Sequence, residues 1–342
     1  MAFSFVRQFL QRGNTEGESF PAYAAAQRHT IEGISTWPAS LSEQRFYETL
    51  FGVALPLDAQ HATQTLSVPQ RLVIDVARNS LDEKSARTKA VPRLPSVIPR
   101  LLRSLRDPEA SAKDYVSIIN KDPAMSAAVL KLANSVYFNP TTNRIQNIDT
   151  AVVKLGIEGL RAVLSAAVMQ PVVQRQSDYY SGFGQKLWEH TLCCAVTCEV
   201  LGQLRGLEPY KGYLLGLTHD IGKITIFSEL CRQFKLNSTP STPPASAFIP
   251  VMQDKAASLS ATIAMDWDLP KEICTALQQQ VDLDVGTQVD QYGKLLFDAN
   301  LYCEAFAVDK IASDDVPLAA IARAVKAPDH LLQDLGHLSL QV

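Results

Sequence analysis

The sequence predicts an all-α fold, and three observations carry that expectation. Apolar residues recur at helical spacing along most of the chain. Helix-start signals stand at Ser40, Ser67 and Asp122-Pro123. No convincing run of alternating polar and apolar residues marks a strand.

From the N-terminus, Met1 to Leu10 is apolar but short and broken by Arg7. It lacks a basic leader and a small-residue cleavage site, so it reads as an amphipathic helix and not a signal peptide. Ser40-Leu41-Ser42-Glu43 reads as a capping box opening a helix through Phe46, Leu50 and Phe51. Ser67-Val68-Pro69-Gln70 opens another, with Leu72, Val73, Val76 and Ala77 as its apolar face. A polar, charge-mixed linker is expected over residues 79–88. These helices suggest an N-terminal helical domain over residues 1–88, of unknown role.

Beyond it, Leu94-Pro95-Ser96-Val97-Ile98-Pro99 fixes an extended entry to a helix that Asp107-Pro108 breaks. Asp122 suits an N-cap and Pro123 the first helical position; Met125, Val129, Leu130, Leu132 and Ala133 then form a core face. Asn134-Ser135 reads as a polar helix stop, and Leu155-Gly156 as a second stop before an apolar helix from Leu160 to about Val172. Residues 237–244, rich in Ser, Thr and Pro, form the clearest internal loop. Helices containing Ala264 and Trp267, and running from Lys271 to Gln280, follow.

With 46% hydrophobic and 20% charged residues among 342, the chain has ample material for a core. The net charge of −3 and the lack of a Lys/Arg run give no nucleic-acid footprint. No apolar run reaches the roughly 18 residues of a membrane span. Six cysteines without a C-x-x-C pair read as free thiols of a reducing, cytoplasmic compartment. Cys193, Cys194 and Cys198, one and five positions apart, do not converge on one ion.

The most informative stretch is Leu214-Leu215-Gly216-Leu217-Thr218-His219-Asp220-Ile221-Gly222-Lys223. An adjacent imidazole and carboxylate, entered from an apolar helix, can face one zinc, iron or manganese ion. Other segments accompany it in order. They are Leu94-Pro95 with Pro99, Asp122 to Met125, Lys131 to Ser135, Ile145 to Ile148 with Ala151-Val152 and Leu155-Gly156, Trp188-Glu189-His190-Thr191, and Trp267-Asp268-Leu269-Pro270.

Together these segments resemble the HDOD domain, a non-enzymatic offshoot of the HD metal-dependent phosphohydrolases. The resemblance implies an HD-like helical domain over residues 89–310 and leaves residues 311–342 as a C-terminal helical extension. In catalytic relatives a cation is bound by a first His, the His-Asp pair and a later Asp. Carried over, these positions fall on His190, on His219 and Asp220, and on Asn300, a neutral amide. Asp298 lies two positions away on a helix and points elsewhere. Two-metal relatives have further histidines, whose places here are taken by Ala256, Gln280 and Val281. No His occurs between residues 219 and 330. His29, His61, His330 and His337 are assigned no role.

The implied reading is a non-catalytic signal-transduction module that binds a protein partner or small ligand. No nucleic acid, catalytic residue or obligatory cofactor is expected. His190, His219 and Asp220 remain as a vestigial set. They are expected to lie close together, hydrogen-bonded to one another and capping helix ends, although a two-His, one-carboxylate set can hold a single divalent ion. Lys223 is expected to pair with Asp220 or a phosphate, or to lie in solvent. Asn134 and Ser135 are expected to serve the turn. The alternative is a metal-dependent phosphohydrolase acting on a nucleotide or phosphoester, with His190, His219 and Asp220 as ligands.

Overall fold

The computed structural model describes residues 28–32, 39–53, 66–83, 112–120, 123–135, 137–139, 141, 143–174, 177–237, 242–310 and 317–339. They are overwhelmingly helical. The N-terminal signals at Met1–Leu10, Leu94–Pro99, Asp107-Pro108 and Asp122 lie outside the described residues, as does His61.

Helix α1 spans Ala39–Phe51. The side chain of Ser40 lies outside the described residues, but the expected Phe46, Leu50 and Phe51 are buried, and Tyr47 joins them. Helix α2 spans Val68–Asp82 and starts at Ser67 as expected, where Ser67 and Gln70 form a capping box. The Gln70 amide donates to Ser67 Oγ at 3.4 Å and the Ser67 amide to Gln70 Oε1 at 2.9 Å. Its buried face is rotated from the one expected. Val73, Ile74, Ala77 and Leu81 are buried, whereas Leu72 and Val76 face outward. Burial of Leu81 also carries the helix through residues 79–82, the expected start of the linker.

Helices α3 (Ala112–Ile119) and α4 (Pro123–Ala133) lead to α5 (Ile148–Val173). Val129, Leu132 and Ala133 of α4 are buried as expected, with Met125 and Leu130 partly buried against the same core. Asn147 caps α5 by accepting from the Thr150 amide at 2.8 Å. Gly156 has φ 67° and ψ −177°, so the expected stop is a kink, after which the helix resumes at once. A side chain here would meet left-handed strain that glycine avoids.

Helices α6 (Phe183–Leu204), α7 (Pro209–Thr218), α8 (Ile221–Leu236), α9 (Ile249–Asp266) and α10 (Lys271–Gln278) follow, with a short 3₁₀ turn at Ala245–Ala247. The chain ends with α11 (Gln291–Asp309), α12 (Leu318–Val325) and α13 (Asp329–Ser339). A two-residue antiparallel ladder, β1 (His29–Thr30) with β2 (Gln288–Val289), pairs His29 with Val289 and Thr30 with Gln288. It is too short for alternation to have marked it.

The helices on the two sides of the expected linker share one continuous hydrophobic core. Helix α1 packs on α6 and α11, α2 packs on α8, and α12 and α13 pack on α11 and α6. No described helix is long and apolar enough to cross a membrane.

One close approach organises the centre. A Cβ on Gly216 would lie 2.4 Å from the Cys194 carbonyl oxygen, and one on Gly212 would lie 2.6 Å from that of Cys198. These two glycines, one turn apart on α7, let its backbone rest directly on α6. The short α7–α8 junction, His219 and Asp220, is thereby delivered beside His190.

Candidate functional site

His190 sits mid-way along α6, His219 ends α7 and Asp220 stands at the N-cap position of α8. All three are buried. His190 Nε2 is 3.3 Å from His219 Nε2 and 3.5 Å from Asp220 Oδ2, and the latter two atoms are 3.4 Å apart. The three expected residues therefore do converge.

Part of the expected mutual network is present, since His190 Nε2 and His219 Nε2 lie at hydrogen-bond distance, and further partners enter it. His219 Nδ1 donates to the Gly216 carbonyl at 2.7 Å, which fixes the tautomer and aims an Nε2 lone pair inward. Asn300 Nδ2 donates to Glu304 Oε1 at 3.0 Å, so its Oδ1 is the atom that accepts from His190 Nε2 at 3.1 Å. Asp220 does not cap α8 with its side chain. Its Oδ1 accepts from Lys223 Nζ at 2.7 Å, while Oδ2 has no hydrogen-bond partner among the described residues. A buried carboxylate oxygen thus faces two imidazole nitrogens, and His190 Nε2 has both Asn300 Oδ1 and His219 Nε2 within hydrogen-bond reach.

Burial pushes the His190 pKa down to about 3, outweighing the opposing charge of Asp220, so the ring is neutral. Burial disfavours the charge on Asp220, but the His219 ring and the Lys223 ammonium outweigh it and hold the carboxyl below its usual range. Lys223 is buried and paired, not solvated, with Nζ 5.4 Å above the Phe46 ring. Burial raises Glu304 to about 7 against the opposing pull of Lys223, and Ser42 Oγ donates to its Oε2 at 2.8 Å.

The three donor atoms fit a cation. Ligand atoms of a tetrahedral site with bonds of about 2.0–2.1 Å stand about 3.3–3.4 Å apart, which matches the observed triangle. Asn300 fills the place of the missing carboxylate with a neutral carbonyl oxygen. Asp298 points elsewhere, as expected, with Oδ2 accepting from Arg205 Nη2 at 2.8 Å and Oδ1 from Lys294. Gln280 Nε2 bonds the Ala276 and Gly293 carbonyls, and the backbone of Ala256 packs against Gly222, so neither position offers a ligand to the triangle.

Two contributors escaped the sequence reading. Cys194 Sγ lies 3.4 Å from His190 Nε2, and His190, Cys194 and His219 form a group with metal-binding spacing. The spacing His190-x-x-x-Cys194 places both on one helix face and was legible. Phe46 of α1 lies over His190, with ring centroids 4.2 Å apart. No local pattern marks that contact.

Asn134 serves the turn, as expected. Its Nδ2 donates to the Leu130 and Ile145 carbonyls, both at 2.8 Å, and its Oδ1 accepts from the Ile145 amide at 2.7 Å. Ser135 Oγ is buried without a hydrogen-bond partner among the described residues. A cavity of about 780 Å³ opens on His219, Asp220, Lys223 and Asn300. Among the described residues its walls also carry Glu32, Glu43, Asp254, Asp282, Asp284 and Glu304, and Lys223 is their sole ammonium group.

The HDOD domain family profile matches residues 91–283, more than half of the chain. The chain belongs to the HDOD domain family. It is 24% identical over 232 residues to an uncharacterized protein of Treponema pallidum (strain Nichols), covering 66% of this chain and 44% of that protein. The chain thus spans less than half the length of this relative. An HDOD domain protein of unknown function from Geobacter sulfurreducens superposes with TM-score 0.53 and 18% identity, over 80% of this chain and 99% of that one. A Shewanella amazonensis SB2B protein, provisionally named a metal-dependent phosphohydrolase, gives TM-score 0.56 and 18% identity over 81% and 99%. These likenesses show the HDOD fold. The match stops short of Asn300 and of Phe46, which α11 and α1 bring to His190 from outside it.

Proposed function

We propose that this HDOD protein is a non-catalytic regulatory module of signal transduction, acting by binding a protein partner or a small ligand. The observation that supports it most is the charge balance at the triangle. Its single carboxylate is already ion-paired with Lys223, and the fourth ligand position holds the amide of Asn300. A two-metal hydrolytic centre needs several anionic or imidazole ligands to offset its cations. The described cavity walls point the same way, because carboxylates crowd the approach and would repel a phosphoester. The donor triangle favours one bound cation, which suits a structural or sensory role. No nucleic acid or membrane partner is part of this reading.

The test is an assay on cyclic dinucleotides, nucleoside triphosphates and simple phosphoesters with manganese, iron, magnesium or zinc. No turnover is expected. Turnover that survives purification and disappears in His219→Ala would establish the phosphohydrolase reading instead.

A further inference from the structure

The cation the triangle fits is not fully described by two imidazoles and a carboxylate. Cys194 lies one turn beyond His190 on α6, and its Sγ is 3.4 Å from His190 Nε2. In a tetrahedral site with a sulfur bond of about 2.3 Å and a nitrogen bond of about 2.05 Å, those two ligands stand about 3.6 Å apart. The thiol therefore stands at ligand spacing from His190, and it lies within 4.8 Å of a His219 ring nitrogen. Asn300 Oδ1 competes for the fourth ligand place at 3.1 Å from His190 Nε2 and 3.9 Å from the sulfur.

A second, independent feature points to a ligand here. Asp220 is 6% exposed, and its Oδ2 has no hydrogen-bond partner among the described residues while facing both imidazoles. An unpaired buried carboxylate oxygen costs free energy that a cation would recover. Cys194 is fully buried against His190.

We infer that Cys194 is the fourth donor of a closed His190–Cys194–His219–Asp220 site that selects zinc-like, thiophilic cations over magnesium or manganese. A thiolate is a softer and stronger ligand for zinc than a neutral amide oxygen, so it displaces Asn300 from that role. On binding, the sulfur–hydrogen bond of Cys194 is replaced by a sulfur–metal bond, and the proton leaves to solvent with no change of oxidation state. The His190 proton moves from Nε2 to Nδ1, which frees the inward lone pair. Four protein ligands leave no open corner, the pattern of a structural rather than a hydrolytic site. This goes beyond the regulatory reading and does not depend on it.

The experiment uses the full chain loaded with one equivalent of zinc or cobalt after chelation and dialysis. X-ray absorption at the zinc edge should show one sulfur scatterer at about 2.3 Å. The cobalt form should show a near-ultraviolet sulfur-to-cobalt charge-transfer band, lost in Cys194→Ser and retained in Cys231→Ser. A nitrogen and oxygen shell alone, a band that survives Cys194→Ser, or failure of the wild type to retain either ion would each overturn the inference. The zinc-edge measurement needs no variant, so it stands even where Cys194→Ser does not fold. Activity is not read, so a failure here leaves the regulatory reading intact, and phosphohydrolase turnover would leave the sulfur ligand intact.

Discussion

Lys223 Nζ lies 2.7 Å from Asp220 Oδ1, one helical turn along α8, and both side chains are buried. Each group makes the other's burial tolerable. An ammonium removed from water needs a counter-charge, and Asp220 supplies it while its second oxygen turns to the histidines.

Asp220→Ala strands that ammonium. The variant should lose about 3–5 kcal/mol of stability in urea denaturation. Adding Lys223→Met should restore part of the loss, because an apolar stem then replaces an unpaired charge. A loss below about 1 kcal/mol would mean the pair is solvated and worth little.

Gly216→Ala tests the backbone contact that brings the rings together. The added methyl would sit 2.4 Å from the Cys194 carbonyl oxygen, so α7 must lift away from α6. The expected cost is about 1–3 kcal/mol. A crystal structure of the variant should show His190 and His219 farther apart than 3.3 Å. An unchanged separation would show that another element sets it.

Asn134→Ala removes the side chain that brackets Ile145. Both backbone groups of this buried residue lose a partner, at about 1–3 kcal/mol for each group left unsatisfied. Hydrogen exchange at the Ile145 amide should accelerate well beyond that of amides within α6. Equal protection in both proteins would assign the bracket no energetic role.

Glu199 links charge to stability away from the triangle. Burial raises its pKa from 4.5 to about 7, opposed by the hydrogen bond from Tyr137 OH at 3.1 Å and reinforced by Glu158. A raised carboxyl favours the folded state when protonated. That advantage is complete below the unfolded value and is lost as pH rises through about 7. The wild type should therefore weaken relative to Glu199→Gln between these limits, by roughly 3 kcal/mol at most. Parallel stability curves would refute the shift.

The site was legible in the sequence where its parts are local, and opaque where they come from elsewhere. His219 and Asp220 adjoin each other, and Ser67 and Gln70 are one turn apart, so their proximity follows from spacing. The rotated face of α2 was harder, since Leu72 and Val76 fit helical periodicity as well as Ile74 and Leu81 do. Only packing on α8 chooses between them. For Lys223 the sequence left pairing with Asp220 or a phosphate and a solvated position both open, and its burial under Phe46 and Tyr47 of α1 chooses the pair. Asn300 was placed by resemblance, but its amide orientation depends on Glu304, one turn further along α11.

The pairing of His29–Thr30 with Gln288–Val289, together with Phe46 over His190 and Ser42 on Glu304, sets an order of events for the chain. Ser42 and Glu304 are 262 positions apart, so their encounter closes a loop that spans most of the sequence. Helices α6 and α7 can dock early, because their contacts are nearly local. The cover over His190 waits until α11 has been made and has met α1, which is slow on entropic grounds. Shielding of His190 from solvent-borne reagents therefore reports on the docking of α1 against α6 and α11.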